Sequence, residues 1–366
     1  MKVGILTFHD ADNYGAVLQC FALQEVLKTM GCNVDVINYK QPHIVDLYRT
    51  RTEFSLQDLA HITPQRFMAG VKKLLQLSFN RKRHSFFQQF RKEYLNITHP
   101  CTVDSIPNDY DVYIVGSDQM WSYACCGGID PVYWGDFYRS EASRLIGYAI
   151  SGNGDFTNYL SADEISKKCS NFTDLSFREI KLRDLIESLT SKVFSASLDP
   201  TLLTNENIWV PLLKETWRNR KFVVVYQARV YKKKPKAILK KAQDYAKAHN
   251  LDVVNLSDSA VSINDFISAI KFADCVFTSS FHATVFSVIF GTPFYSFVLN
   301  DGKDERYVNF LEQLQLTKHA VPADQKIEEK ILIDKDNVSY LLSQLSKQSL
   351  AFLYNSINDS EYDKTT

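Results

Sequence analysis

From Phe222 onward the sequence changes its hydrophobic period at short, regular intervals, and that alternation narrows the fold more than any other feature. Apolar runs of strand length at Phe222–Gln227, Val253–Leu256, Cys275–Ser279 and Phe294–Val298 alternate with stretches of helical spacing. Those stretches run over Pro235–His249, Asn264–Phe272, His282–Phe290 and Glu305–Leu316, and Gly291-Thr292-Pro293 supplies a stop after the third. Strands that alternate with helices in this way are expected to form an open parallel sheet with helices on both faces.

The first half begins in the same style. A strand over Lys2–Phe8, a helix over Ala16–Met30 and a strand over Val34–Tyr39 make a βαβ unit. From Asp46 to Tyr94 the pattern is helical and polar, and the stretches Gln65–Leu77 and Arg81–Tyr94 read as an inserted helical pair. Strands over Asp111–Val115, Arg144–Ile150 and Lys192–Ala196, with a helix over Ile180–Leu189, then complete a first sheet. A chain of 366 residues suits two domains at roughly 150 residues each. The expected fold is therefore α/β, with two Rossmann-like domains facing a cleft and a helical insertion at 46–94 in the first. The boundaries expected are 1–205, 206–335, and a C-terminal helix and tail at 336–366, with Asp336–Tyr354 amphipathic.

Charge excludes some partners. Lysine plus arginine and aspartate plus glutamate both number 42, so no net field draws nucleic acid or an anionic membrane. The basic stretch Tyr231-Lys232-Lys233-Lys234, with Lys236, Lys240 and Lys241, is either a solvated helix face or the rim of an anion site. The seven cysteines are an odd number without C-x-x-C spacing, which suggests neither a zinc site nor a disulfide framework but a reducing compartment. The opening apolar run stops at His9, too short for a signal-peptide core, so a cytoplasmic protein with at most peripheral membrane contact is expected.

In open parallel sheets, ligands bind beyond the carboxyl ends of the strands, so the residues there carry the functional reading. After the first strand, His9-Asp10-Ala11-Asp12-Asn13-Tyr14-Gly15 leads into a helix whose N-terminus can hold an anion or sugar hydroxyls, unless Asp12 or Asn13 simply caps it. One glycine there makes no dinucleotide fingerprint. After the strand ending at Val115, Gly116-Ser117-Asp118-Gln119-Met120-Trp121 joins a carboxylate, an amide and an indole, a set that suits a sugar but is also ordinary turn chemistry. Asp118 is placed to accept the proton of an attacking hydroxyl. Arg229, at the end of the second half's first strand, offers a planar fork to phosphate or carboxylate, or is a surface arginine. Ser280 suits an N-cap, and His282 would then lie in the positive field of a helix N-terminus, which primes it to give up a proton, unless it is a structural histidine, as most lone histidines are. Lys303 and Arg306 flank the next loop as further cations or as a solvated helix start.

Five blocks together resemble the polysaccharide pyruvyl transferase family. They are Asn13-Tyr14-Gly15-Ala16-Val17-Leu18-Gln19, Gly116 to Trp121, Ser176-Phe177-Arg178-Glu179, Asp199-Pro200-Thr201, and Ser280 to Ser287 followed by Gly291-Thr292-Pro293-Phe294. The resemblance implies a GT-B-like pair of domains and transfer of pyruvate from phosphoenolpyruvate to a sugar of a bacterial surface polysaccharide or its lipid-linked precursor, giving a cyclic ketal. It implies no cofactor beyond the phosphoenolpyruvate donor, and no metal. His282 matches the histidine of the family's Arg-x-His element and is the implied acid, while Ser280 stands at its arginine position. Arg229 matches a basic family position, with Arg306 and Lys303 as substitutes for the missing cation. Asp118, Asn13, Tyr14, Gln119 and Trp121 form the expected acceptor side. Two other functions are compatible with the same chain: a nucleotide-sugar glycosyltransferase, and a non-catalytic glycan-binding or assembly protein.

Overall fold

The computed structural model describes residues 1–52, 64–227, 235–300 and 304–358. They form two compact units, Met1–Thr204 with the stretch from Leu345, and Asn205–Gln344, each built on its own sheet. Unit 1 holds β1 (Lys2–Leu6), α1 (Tyr14–Thr29), β2 (Asn33–Val36), α2 (Pro42–Thr52), α3 (Pro64–Tyr94), β3 (Val112–Asp118), α4 (Tyr123–Cys126), β4 (Arg144–Ile150), α5 (Ala162–Cys169), β5 (Asp174–Phe177), α6 (Ile180–Thr190) and β6 (Ser195–Ala196). Its six strands run in the order β2-β1-β3-β4-β5-β6, all parallel.

Unit 2 holds α7 (Glu206–Trp209), β7 (Phe222–Tyr226), α8 (Pro235–His249), β8 (Asp252–Asn255), α9 (Ile263–Phe272), β9 (Cys275–Thr278), α10 (Phe281–Phe290), β10 (Phe294–Val298), α11 (Glu305–Gln313) and β11 (Ala320–Pro322). Its parallel strands run β11-β10-β9-β7-β8. Helix α12 (Lys335–Asn358) closes the chain, and its Leu353 and Ile357 join the core of unit 1 beside Val3, Ile114 and Ile146. The fold is α/β with two Rossmann-like sheets.

The apolar runs are unbroken because both faces of each sheet are covered. Every residue of β7 is buried, and β3 is buried from Val112 to Ser117. Local signals set the helix ends. Asn13 Oδ1 accepts from the backbone N–H of Gly15 at 2.9 Å, and Gly291 takes the left-handed conformation, φ 63°, that ends α10. No described helix is long and apolar enough to cross a membrane.

Several elements differ from expectation. The expected helical pair is one continuous helix, α3, because Ser78-Phe79-Asn80 contains neither glycine nor proline to break it. Helix α5 and strand β5 intervene where none was expected, since Asp174-Leu175-Ser176-Phe177 lacks a continuous apolar run and becomes a strand by pairing with β4. Strand β6 shrinks to two residues, with Val193 92% exposed ahead of it. The three-residue β11, which ends in a proline, was also absent from the expected set.

In each sheet the chain lays one strand to one side of the first and then crosses to the other side. The crossover lies between β1 and β3 in unit 1 and between β7 and β9 in unit 2. Adjoining loops diverge there, and the crevice at the carboxyl ends is where such sheets bind ligands. Gly116, at that end of β3, has φ 144°, and a Cβ on it would meet the backbone oxygen of Tyr148 at 1.9 Å. Gly116→Ala should therefore cost at least about 4 kcal/mol by urea unfolding. Gly128→Ala, at φ 151° in open space, should cost only about 1–3 kcal/mol.

Candidate active site

At the crossover of unit 1, the ends of β1 and β3 are tied by side chains. Thr7 Oγ1 donates to Ser117 O at 2.9 Å, Gln19 Nε2 donates to Thr7 Oγ1 at 2.8 Å, and Ser117 N–H donates to Gln19 Oε1 at 3.2 Å. Gln19 is fully buried and reaches this edge from α1. Asp118 follows with φ 101°, a conformation that non-glycine residues adopt only when their surroundings impose it. Its Oδ1 accepts from Gln119 N–H at 2.8 Å.

The turn after β1 is clamped by the inserted helix α3. Arg91 Nε donates to His9 O at 2.8 Å and its Nη2 to Asp12 Oδ1 at 2.9 Å, while His84 Nδ1 lies 2.6 Å from Asp12 Oδ2. Asp12 is thus bound to α3, and Asn13 alone caps α1. Tyr14 is fully buried against Phe87, with the Arg83 guanidinium over its ring, so it offers no surface to an acceptor.

Trp121 requires a correction. Its indole is 1% exposed, stacks on Trp134 at 3.9 Å between centroids, and donates from Nε1 to Tyr133 O at 2.8 Å. Both faces and the polar edge are taken up by the core, so the expected stacking on a sugar is not available to it. Asn13 remains exposed, and Asp118 and Gln119 remain half-buried at the strand edge.

The strongest electrostatic feature of unit 1 lies in two of the segments that carry the family resemblance, although the sequence assigns it no chemical role. Arg178, just past β5, donates from Nη1 to Asp199 Oδ2 at 2.9 Å, from Nε to Glu179 Oε1 at 3.1 Å, and from Nη2 to Ser151 Oγ at 2.7 Å. Ser151 Oγ donates in turn to Glu179 Oε1 at 2.8 Å. Asp199 is completely buried, and Arg178 has only 6% of its side chain exposed. Burial alone would lower the guanidinium's pKa, but Glu179, Asp199 and Asp118 together outweigh it and push the value up. The same influence puts the Asp118 carboxylate within the field of Arg178. The available signal was a charged pair following a strand directly, in Ser176-Phe177-Arg178-Glu179, but its partners lie 21 and 27 residues away.

At the crossover of unit 2, hydroxyls replace charges. Thr278 Oγ1 donates to Tyr226 O at 2.6 Å and accepts from Ser280 N–H at 3.0 Å. Thr284 Oγ1 donates to Ser280 O at 3.0 Å and lies 2.5 Å from Ser296 Oγ. Ser280 is the N-cap of α10, as the sequence suggests, and accepts from Ala283 N–H. His282 sits half-buried in the first turn, with its ring edge-on to Phe281. Arg306 is half-buried in α11, whereas Arg229, Lys303 and the Tyr231–Lys234 stretch lie outside the described residues.

Two predictions concern unit 1. Arg178→Met strands two carboxylates at a buried site and should cost about 3–5 kcal/mol by urea unfolding. His9 is fully buried, and burial lowers its pKa more than Asp10, Asn38 and the Thr7 carbonyl raise it. The unfolded chain therefore binds that proton more tightly. The contribution to stability is complete above the ordinary histidine value of about 6.5 and is lost as pH falls toward the lower folded value. Between about pH 7.5 and pH 5.5, His9→Gln should flatten that loss in urea titrations.

Comparison with known proteins adds the family. The model of the family described as "Polysaccharide pyruvyl transferase" matches residues 13–301. No curated protein matches the sequence. Among solved structures, a putative UDP-N-acetylglucosamine 2-epimerase from Listeria monocytogenes aligns at TM-score 0.46 and 10% identity, over 97% of this chain and 90% of that one. The glycosyltransferase SnogD from Streptomyces nogalater aligns at TM-score 0.45 and 10% identity, over 97% of this chain and 99% of that one.

Proposed function

The chain belongs to the polysaccharide pyruvyl transferase family, and from that premise we propose that it moves pyruvate from phosphoenolpyruvate to two hydroxyls of one sugar, forming a cyclic ketal. The acceptor is a sugar of a bacterial surface polysaccharide or of its lipid-linked precursor. The observation that carries this reading within the family is His282 in the first turn of α10, behind the Ser280 cap and at the crossover of unit 2. A helix N-terminus favours the phosphate and carboxylate of the donor, and a histidine in that turn is placed to give a proton to a bound anion's carbon.

The chemistry balances without further reactants. His282 protonates C3 of phosphoenolpyruvate, which becomes the methyl group, and positive charge develops at C2. One sugar hydroxyl bonds to C2, the C2–O bond to phosphate breaks, and the neighbouring hydroxyl closes the second C–O bond. Of the two hydroxyl protons, one restores His282 and the other leaves on the phosphate. Asp118 relays the second of these protons in this scheme, taking it from the attacking hydroxyl and passing it to the departing phosphate, and its constrained backbone at φ 101° supports a fixed role. Gln119 and Asn13 orient the acceptor. Arg229, Lys303 and Arg306 supply positive charge for the donor in place of the arginine that Ser280 replaces.

His282→Ala should reduce phosphate release from phosphoenolpyruvate by at least about 100-fold while leaving the melting temperature unchanged. Undiminished release would remove His282 as the acid. In thermal-shift titrations, phosphoenolpyruvate should stabilise the protein. Stabilisation by a nucleoside diphosphate, with none by phosphoenolpyruvate, would replace this reading with that of a nucleotide-sugar glycosyltransferase.

A further inference from the structure

With Trp121 enclosed in the core, the edge that carries Asp118 and Gln119 still presents an aromatic surface. Tyr159 is 57% exposed and lies flat on Tyr123, with ring centroids 3.6 Å apart and planes 6° from parallel. Tyr123 opens α4, which follows β3, and Tyr159 ends the turn that follows β4, so both rings rise from the carboxyl ends of adjacent parallel strands.

The two loops are joined firmly. Asp155 Oδ1 accepts from Tyr123 N–H at 2.8 Å, and its Oδ2 accepts from Ala124 N–H at 3.0 Å and Ser122 Oγ at 3.2 Å. Tyr159 N–H donates to the carbonyl of Phe156, which is completely buried against Trp121 and Trp134. The exposed ring thus rests on a second ring, on a shared carboxylate and on the core beneath. Isolated exposed aromatics are unremarkable, but a flat pair fixed in this way has lost its freedom before anything binds, which lowers the entropic cost of binding.

The surrounding residues indicate what covers it. The loop from Gln119 to Asp130 and the loop from Ser151 to Leu160 contain no lysine or arginine, and between them they carry Asp130 and Asp155. An anionic ligand such as a nucleotide would find no cation in either loop. A neutral pyranose fits better. Its axial C–H bonds form an apolar face with slight positive charge, which meets the negative face of a phenol ring, and its rim of hydroxyls needs acceptors and donors of the kind Gln119 and the exposed Asn158 supply.

We propose that the open face of Tyr159, backed by Tyr123, is the platform on which a pyranose ring of the acceptor saccharide stacks. This rests on the reading of the protein as a transferase to sugars and assigns its acceptor side a specificity-determining contact. The platform recognises the ring itself, whether the saccharide is free or attached to a lipid.

The test reads sugar binding without phosphoenolpyruvate. Saturation-transfer NMR with methyl galactosides and methyl mannosides should place the wild-type contact on the ring C–H face. Tyr159→Ala should weaken binding about tenfold without lowering the melting temperature, and Tyr159→Phe should retain it. Adding a lipid-linked saccharide as competitor should displace the signal if both forms share the platform. Equal binding by wild type and Tyr159→Ala, or no binding of either sugar by the folded wild type, overturns the proposal. Phosphate release is measured separately. Sugar binding that depends on Tyr159 in a protein inert toward phosphoenolpyruvate would sink the transferase reading and keep the platform, whereas active transfer with an acceptor KM indifferent to Tyr159→Ala would do the reverse.

Discussion

A single guanidinium, that of Arg178, organises the carboxyl edge of unit 1. It collects groups that three strands deliver to the same end: Ser151 after β4, Glu179 after β5 and Asp199 before the turn that follows β6. A buried arginine cannot shed its charge, so its partners must hold fixed positions for the fold to tolerate it. That constraint passes outward through the backbone of Ser151. Its N–H donates to Asp118 O at 3.1 Å, and its carbonyl accepts from Trp121 N–H at 3.2 Å. The position of the proposed acceptor-side carboxylate therefore depends on a buried ion cluster.

Unit 2 reaches order at its own strand ends by other means. Hydroxyls of Thr278, Thr284 and Ser296, together with the backbone N–H and carbonyl of Ser280, link β7, β9, β10 and the start of α10. A neutral network of this kind costs less to bury than ions, and it leaves the helix N-terminus as the local source of positive potential. The contrast matches the proposed division of labour. An edge bearing carboxylates and amides suits sugar hydroxyls, and an edge bearing a helix N-terminus and a histidine suits an anion. Of the three cations proposed for that anion, Arg306 is half-buried in α11, while Arg229 and Lys303 fall outside the described residues.

How far the chain could be read in advance varied with the kind of signal. Pro235–His249 and Phe294–Val298 have the bounds their periodicity suggests, because long or strongly apolar segments bury themselves in only one way. The cap at Ser280 and the stop at Gly291 were legible for a similar reason: each satisfies backbone groups within a few residues. Strand β5 was not legible, since its four residues gain their geometry from β4 beside them. Trp121 misled in the opposite direction. Indole chemistry suits sugar stacking, but nothing local to Gly116–Trp121 announces that Trp134 will lie parallel to it at 3.9 Å.

The sequence by itself determined the α/β character, the parallel arrangement and the strand ends where function gathers, because hydrophobic period, capping and turn chemistry act over a few residues. Tertiary structure alone decided which groups at those ends stay exposed and which serve the core. Arg178, with partners up to 27 residues away, became a structural anchor. Trp121 went inside, and Tyr159 stayed out on Tyr123. Exposure is a property of what the rest of the chain brings alongside a residue, and no local pattern encodes it.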